Sequence, residues 1–154
     1  MRTLFAFSVI SIFLLLEVGC KKSDPVPVTQ NPYVPVNIQG KWLWVETYDK
    51  TTTSTITYPE ILDSAIVEFK DLSQLNAYGI CNGSSGKYWY TETGGIQVSD
   101  FAHTSIFCGG DEDIWENRLF SGVEFCYHYV LSNNNSTLRL YSSTNYDLIF
   151  EKVD

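Results

Sequence analysis

The 154-residue sequence has little histidine, little positive charge and no apolar run long enough to span a bilayer. Two histidines and ten Lys and Arg stand against eighteen Asp and Glu, giving a formal net charge of −8. This excess of negative charge argues against nucleic acid and against electrostatic binding to a membrane surface. The scarcity of histidine, with no phosphate-binding glycine loop and no G-x-S-x-G motif, disfavours an enzyme.

Residues 1–19 have the features of an export signal peptide. Arg2 supplies a minimal positive charge, and the apolar run Leu4–Leu16 is shorter than the ~20 residues of a membrane span. The following Glu17-Val18-Gly19-Cys20 resembles a bacterial lipobox, although Glu17 stands where a small aliphatic residue is usual. We expect a lipoprotein signal peptide and lipidation at Cys20. The alternative is an ordinary secretory signal with an incidental cysteine.

Residues 20–36 form a predicted Pro-rich tether. Four prolines recur in this stretch, and proline favours the extended polyproline-II conformation. About 16 residues at ~3.1 Å each could hold a domain up to ~50 Å from a membrane. We therefore expect a protein that is lipid-anchored in the bacterial cell envelope, with the outer membrane as the favoured location, and that does not span the membrane.

Residues 37–154 have the length of one domain. They contain seven Lys and Arg against sixteen Asp and Glu, a net charge of about −9. Short alternating runs rich in β-branched and aromatic residues predict strands. In the run 124–131, the alternation puts Phe125, Tyr127, Tyr129 and Leu131 on one face and Cys126, His128 and Val130 on the other. A single helix is predicted over 111–121, with Ile114, Trp115, Leu119 and Phe120 on its apolar face and Asp113 and Glu116 as a capping box.

The segment 81–108 carries a family resemblance. It reads C-N-G-S-S-G-K-Y from Cys81, then T-S-I-F-C from Thr104 to Cys108, with the predicted helix immediately after. It resembles the META, or heat-shock protein HslJ-like, domain, whose pattern is G-C-N-x-x-S-G-x-Y, T-x-x-x-C and a short helix. Ile80 stands where that family often has Gly. The resemblance implies an α+β, β-rich fold: an antiparallel curved sheet or partly open barrel with one short helix.

The resemblance also bears on the cysteines. Cys81 and Cys108 match the family pattern, so they are the favoured disulfide pair in an oxidising compartment. Cys126 is an additional cysteine outside the pattern. The alternative is that all three are reduced and buried, as small apolar residues.

Other groupings of chemically active residues have simpler explanations. Acidic residues 111–113 and Glu116 suit a helix start better than a cation site, because the helix dipole favours negative charge there. His103 with Cys108, and Cys126 with His128, lack the paired spacing of structural zinc sites. A triad of Ser84 or Ser85 with Asp100 and His103 is disfavoured, because Gly83–Gly86 is typical of a turn. We predict no catalytic residue, no metal and no cofactor.

Aromatic residues provide the remaining indication of function. The candidate binding-face aromatics are Trp42, Trp44, Tyr88 and Tyr90, with core packing as the alternative. The sequence predicts a non-enzymatic envelope protein that binds another envelope protein or a small apolar ligand. The META resemblance implies a role in stress or antibiotic tolerance. Two alternatives are a lipocalin-like carrier of an apolar small molecule, indicated by Gly40-x-Trp42, and a hydrolase that uses Ser84 or Ser85.

Overall fold

The computed structural model describes residues 37–59 and 65–153. The predicted signal peptide with Cys20, and the predicted tether, lie outside these residues. The described strands are β1 Gly40–Asp49, β2 Ser54–Thr57, β3 Ile66–Phe69, β4 Gln74–Tyr78, β5 Gly83–Tyr90, β6 Ile96–His103, β7 Cys126–Ser132, β8 Thr137–Ser142 and β9 Tyr146–Val153, with helix α1 at Gly110–Glu124. None of the helical structure in the described ranges is long and apolar enough to cross a membrane. The predicted α+β, β-rich fold is confirmed.

The strands form one antiparallel sheet that curls into a partly open barrel. Their order is β6-β5-β4-β3-β1-β9-β8-β7, and β2 pairs with β1 as a hairpin. The edge strand β7 meets the turn between β5 and β6, where the Tyr129 N–H donates to the Gly94 carbonyl at 2.7 Å. Gly94 has a φ of +91°, and a Cβ there would lie 2.8 Å from the Tyr129 oxygen. Only glycine allows this close approach of the two backbones.

The inner face of the sheet is filled with side chains. Trp42 and Trp44 share this face, as the alternation in β1 predicts, and both are fully buried. The Phe69 and Tyr88 rings meet edge to face at 4.9 Å, and Trp44 packs against Trp115 of α1 at 5.4 Å. The other fully buried large side chains of this core are Phe150, Ile38, Leu75, Leu119, Leu138, Leu140, Leu148 and Val67.

The candidate binding-face aromatics therefore do not form an exposed surface. Trp42, Trp44 and Tyr88 are buried, and the half-buried Tyr90 stacks on Tyr88 at 6.0 Å. Burying such large apolar side chains is the main driving force for folding of a small β domain, so the inner face retains them. These four aromatic residues therefore belong to the core, which is the alternative that the sequence left open.

The helix is longer than predicted and begins differently. It starts at Gly110, and its N-cap Gly109 makes no side-chain cap. The predicted capping box is absent, because Asp113 reaches back to accept the Cys108 N–H at 3.1 Å and Glu116 points into the protein. Ile114 is exposed rather than part of the apolar face.

Candidate functional site

Two loops meet at the N-terminal half of α1. One is the turn 79–82 between β4 and β5, and the other is the segment 104–109 between β6 and α1. The disulfide between Cys81 and Cys108 joins them, with a Cα–Cα distance of 6.0 Å. The residues of the C-N…T-x-x-x-C signature, although far apart in sequence, thus lie next to one another in the fold.

The Asn82 side chain holds the second loop to the first. Its Oδ1 accepts from the Thr104 hydroxyl at 2.8 Å and from the Ile106 N–H at 2.7 Å. Its Nδ2 donates to the Ile106 carbonyl at 2.8 Å and to the Glu116 carboxylate. All four hydrogen-bonding positions of the amide are used, so this buried polar side chain is fully satisfied.

Glu116 connects the helix to the same turn. Its side chain is 5% exposed, and its Oε1 accepts the backbone N–H groups of Cys81 at 3.0 Å and Asn82 at 2.8 Å. Hydrogen bonds to an ionised carboxylate are about twice as strong as neutral ones, which compensates for burying the charge. The sequence predicted that Glu116 caps its own helix, whereas its carboxylate accepts the N–H of Asn82, a residue 34 positions earlier in the chain.

The approach of Glu116 depends on Gly79. A Cβ at this position would lie 2.8 Å from Glu116 Cγ and 2.9 Å from its Cδ. Real Cβ atoms do not tolerate contacts that short, so the missing side chain makes room for the carboxylate.

Oxygen atoms surround the disulfide sulfurs. Glu116 Oε2 lies 3.3 Å from Cys108 Sγ and 3.9 Å from Cys81 Sγ. The Ile106 carbonyl oxygen lies 3.7 and 3.9 Å from the same two sulfurs. A disulfide sulfur carries no hydrogen, so these are van der Waals contacts and not hydrogen bonds. The cysteine pair, a buried carboxylate and a carbonyl therefore share one small volume.

An apolar loop tip projects beside this cluster. Ile106 is 62% exposed and Phe107 83% exposed. Two hydrogen bonds between the Asn82 side chain and the Ile106 backbone, one donated by each residue, fix one end of the tip, and the Cys108 disulfide fixes the other. A surface cavity of about 250 Å³ borders the tip and is lined also by Asn82, Thr104, Asp113, Glu116 and Phe120.

The residues of the proposed triad make separate contacts. The Ser84 hydroxyl donates to the Ala77 carbonyl at 3.2 Å, and Asp100 pairs with Lys87 at 2.9 Å. The His103 ring stacks on Phe120 with centroids 5.3 Å apart. In the part of the chain that the structure describes, no side-chain hydrogen bond joins Ser84 or Ser85 to His103, although Ser84 and His103 are cross-strand partners, so these residues form no nucleophile–base–acid relay.

The two Cys–His pairs considered as zinc ligands, His103 with Cys108 and Cys126 with His128, make other contacts. Cys108 is in the disulfide and His103 stacks on Phe120. Cys126 is buried, and burial raises the pKa of its thiol to about 12. His128 packs against Tyr141. A thiol with so high a pKa is a poor ligand and a poor nucleophile, so Cys126 behaves as a small core residue.

Sequence reasoning missed the two features that dominate this region. The role of Glu116 depends on a tertiary contact and leaves no local pattern. The exposed Ile106-Phe107 pair did leave a signal, because two large apolar residues stand between a polar segment and the Cys108-Gly109-Gly110 stretch at the start of the helix.

Comparison with known proteins identifies the family. The META domain matches residues 35–154. A protein from Burkholderia xenovorans, determined by NMR, shares the fold with a TM-score of 0.62 and 12% identity over 86% of this chain and 97% of that one. A DUF4847 family protein from Bacteroides vulgatus, determined by crystallography, has a TM-score of 0.52 and 14% identity over 75% and 95%. No curated protein matches the sequence. The chain belongs to the META domain family.

Proposed function

We propose that this protein is a non-enzymatic, lipid-anchored binding module of the bacterial cell envelope, acting in stress tolerance or envelope maintenance. Its binding element is the Ile106-Phe107 tip, and its partner is an envelope protein. The role in stress tolerance follows from what the META resemblance implies, and the anchor follows from the lipobox-like Cys20.

The observation that carries the proposal is an exposed apolar tip whose two ends are attached, one by the Asn82 hydrogen bonds and the other by the Cys108 disulfide. A loop whose backbone is already held in place loses less conformational entropy on binding than a free loop does, and this raises the affinity for a partner. A buried aromatic anchor in a partner's pocket is the usual form of an interface hot spot. Folding alone gains nothing from exposing Phe107 at 83%.

Charge narrows the chemistry of the partner. Asp111, Glu112 and Asp113 follow the tip in the first turn of α1. A partner surface with an apolar pocket and a basic rim would complement this arrangement, whereas an anionic membrane surface would be repelled. We therefore expect binding to weaken with added salt, because salt screens attraction between exposed charges.

The lipocalin-like alternative is disfavoured by the filled interior. The side chains of Trp42, Leu75, Leu140 and Phe150 have no accessible surface, so no water-sized void adjoins them. A carrier needs an apolar cavity of ~300–1,000 Å³ for a drug-sized ligand. A small apolar ligand would have to bind on the outer surface.

The hydrolase alternative is also disfavoured. Ser84 donates its hydroxyl to a backbone carbonyl, and neither Asp100 nor His103 is arranged to activate it. These contacts support a non-enzymatic role.

The test is complementation of a deletion strain under envelope stress. We expect wild-type protein to restore growth and Phe107→Ser to fail, with equal protein levels in the envelope. Tyr127→Ser is the matched control, because Tyr127 is an exposed aromatic on β7 and does not line the cavity beside the tip. Full rescue by Phe107→Ser would overturn the role of the tip.

The partner and the anchor are tested separately. A photo-crosslinking residue at position 107 should yield a discrete protein adduct in intact cells, and one at position 127 should not. Cys20→Ser should release the protein from the membrane fraction. Retention of the Cys20→Ser variant in that fraction would overturn lipid anchoring and leave the binding tip unaffected.

A further inference from the structure

We infer that Cys81, Cys108 and Glu116 form a redox-gated binding site for one thiophilic divalent cation, such as Zn²⁺, that opens when the disulfide is reduced. The inference is independent of the proposed partner-binding function. In the oxidised protein the two sulfurs are bonded to each other and cannot ligate a metal. Reduction frees two sulfur ligands beside a carboxylate.

The ligand atoms already lie at suitable positions. One donor atom each from Cys81, Cys108 and Glu116 falls within 4.8 Å of the other two. In a tetrahedral zinc site with Zn–S of about 2.3 Å and Zn–O of about 2.1 Å, ligand atoms are about 3.5–3.8 Å apart. Glu116 Oε2 is 3.3 Å from Cys108 Sγ and 3.9 Å from Cys81 Sγ. Small side-chain rotations of the two cysteines therefore complete three ligand positions, and water takes the fourth.

The surroundings orient these ligands. Glu116 Oε1 is held by the backbone N–H groups of Cys81 and Asn82, and Oε2, which accepts a hydrogen bond from Asn82 Nδ2, faces the sulfurs. The Asn82 Nδ2 donates its two N–H groups to the Ile106 carbonyl and to Glu116 Oε2. The same nitrogen lies 3.6 Å from Cys81 Sγ and 3.7 Å from Cys108 Sγ, where the positive end of the amide dipole favours thiolates electrostatically. Such outer-shell hydrogen bonds commonly fix metal ligands and tune their affinity.

Electrostatics favours a cation over a free dithiolate. Two thiolates beside the Glu116 carboxylate would place three negative charges in one small volume. A divalent cation neutralises most of this charge and lets both thiols ionise, with release of two protons. Soft sulfur ligands select Zn²⁺ or a similar thiophilic ion over Mg²⁺ or Ca²⁺.

The disulfide is accessible to a reductant. Cys81 is exposed and Cys108 half-buried, in contrast to the buried Cys126. A dithiol reductant supplies two electrons and two protons, breaks the S–S bond to give two thiols, and becomes a disulfide itself. Accessible disulfides of this kind are the ones that are reduced readily.

Cobalt titration tests the inference. The purified protein, oxidised or reduced with a phosphine, is titrated with Co²⁺ under anaerobic conditions and followed by absorption. We expect the reduced protein to bind one Co²⁺ with a thiolate-to-cobalt charge-transfer band, the oxidised protein to show none, and Zn²⁺ to displace the cobalt. Cys108→Ser should abolish the band, and Cys126→Ala should leave it unchanged.

The contribution of Glu116 is tested with Glu116→Gln. Affinity for Co²⁺ should fall at least tenfold, with the fold verified by near-ultraviolet circular dichroism. Should this variant unfold, Glu116→Asp replaces it, since a shorter carboxylate withdraws the oxygen from the sulfurs. Reduced wild-type protein that binds no Co²⁺, or an unchanged affinity in a folded Glu116 variant, would overturn the site as assigned.

Discussion

The Glu116 carboxylate on α1 accepts the backbone N–H of Asn82 at 2.8 Å, although 34 residues separate the two in sequence. This bond, with that from the Cys81 N–H, ties the helix to the β4–β5 turn. Asn82 in turn holds the loop that leads into the helix. The two residues are thus central to the geometry of the disulfide and the apolar tip.

Replacing Glu116 with Ala should reduce the free energy of unfolding by about 2–4 kcal/mol, because it leaves the buried Asn82 N–H, the part-buried Cys81 N–H and the Asn82 amide without their acceptor. Chemical denaturation measures the loss. Asp111→Ala removes the same charge from an exposed position of the same helix and should change stability by less than about 0.5 kcal/mol. Equal losses in the two variants would contradict the role of Glu116.

Gly79→Ala should destabilise the domain by about 1–3 kcal/mol, because the added methyl group forces Glu116 out of its position. Gly83→Ala is the matched control, since the nearest atom to its Cβ is Tyr78 Cδ1 at 4.0 Å. Thermal or urea unfolding of the two variants provides the measurement. If Gly83→Ala proves to be the more damaging change, the steric explanation is wrong.

Removing the disulfide with a combined Cys81→Ser and Cys108→Ser substitution should lower the free energy of unfolding by about 3–4 kcal/mol, the loop-entropy value for a separation of 27 residues. Non-reducing denaturation of wild-type and variant proteins measures this. Reductant should destabilise the wild type and leave the double variant unchanged. A wild type that is insensitive to reductant while its thiols become free would contradict the expectation.

Cys126 should resist alkylation in the folded protein at pH 8, because burial raises the pKa of its thiol to about 12 and leaves almost no thiolate. The folded protein retains this proton when the unfolded chain has lost it, so Cys126 destabilises the fold as the pH rises from about 9 towards 12. Mass spectrometry after iodoacetamide treatment checks reactivity. Cys126→Ala should show a weaker loss of stability over that alkaline range.

Asp147→Ala should destabilise the protein by about 2–3 kcal/mol. The Asp147 carboxylate is buried and pairs with Lys50 and Arg139, each at 2.9 Å. Its removal leaves Lys50 and Arg139 without their counter-ion. Because each cation is about one-third exposed, water solvates it in part, and the loss of stability is smaller than for a fully buried pair. Lys87→Ala breaks an exposed pair of the same length and should cost less than about 1 kcal/mol. Urea denaturation distinguishes the two.

Local patterns predicted the secondary structure well where the chain is regular. Alternation in β1 placed Trp42 and Trp44 on one buried face, because strand side chains alternate strictly. The same reasoning failed in β7, where Tyr127 is exposed and Tyr129 is buried. The register shifts between Cys126 and His128, and such a bulge moves the following side chains to the opposite face.

The sequence by itself determined the β-rich class, the position of the helix and, through the C-N…T-x-x-x-C signature, the META family. These properties follow from short-range periodicity and from a local motif. Only the tertiary structure decided that Glu116 accepts hydrogen bonds from the β4–β5 turn and that Ile106 and Phe107 are exposed. It also decided that the aromatic residues predicted to form a binding face lie in the core. Each of these depends on contacts between distant segments, and burial of a side chain is fixed by what packs over it rather than by its sequence neighbours.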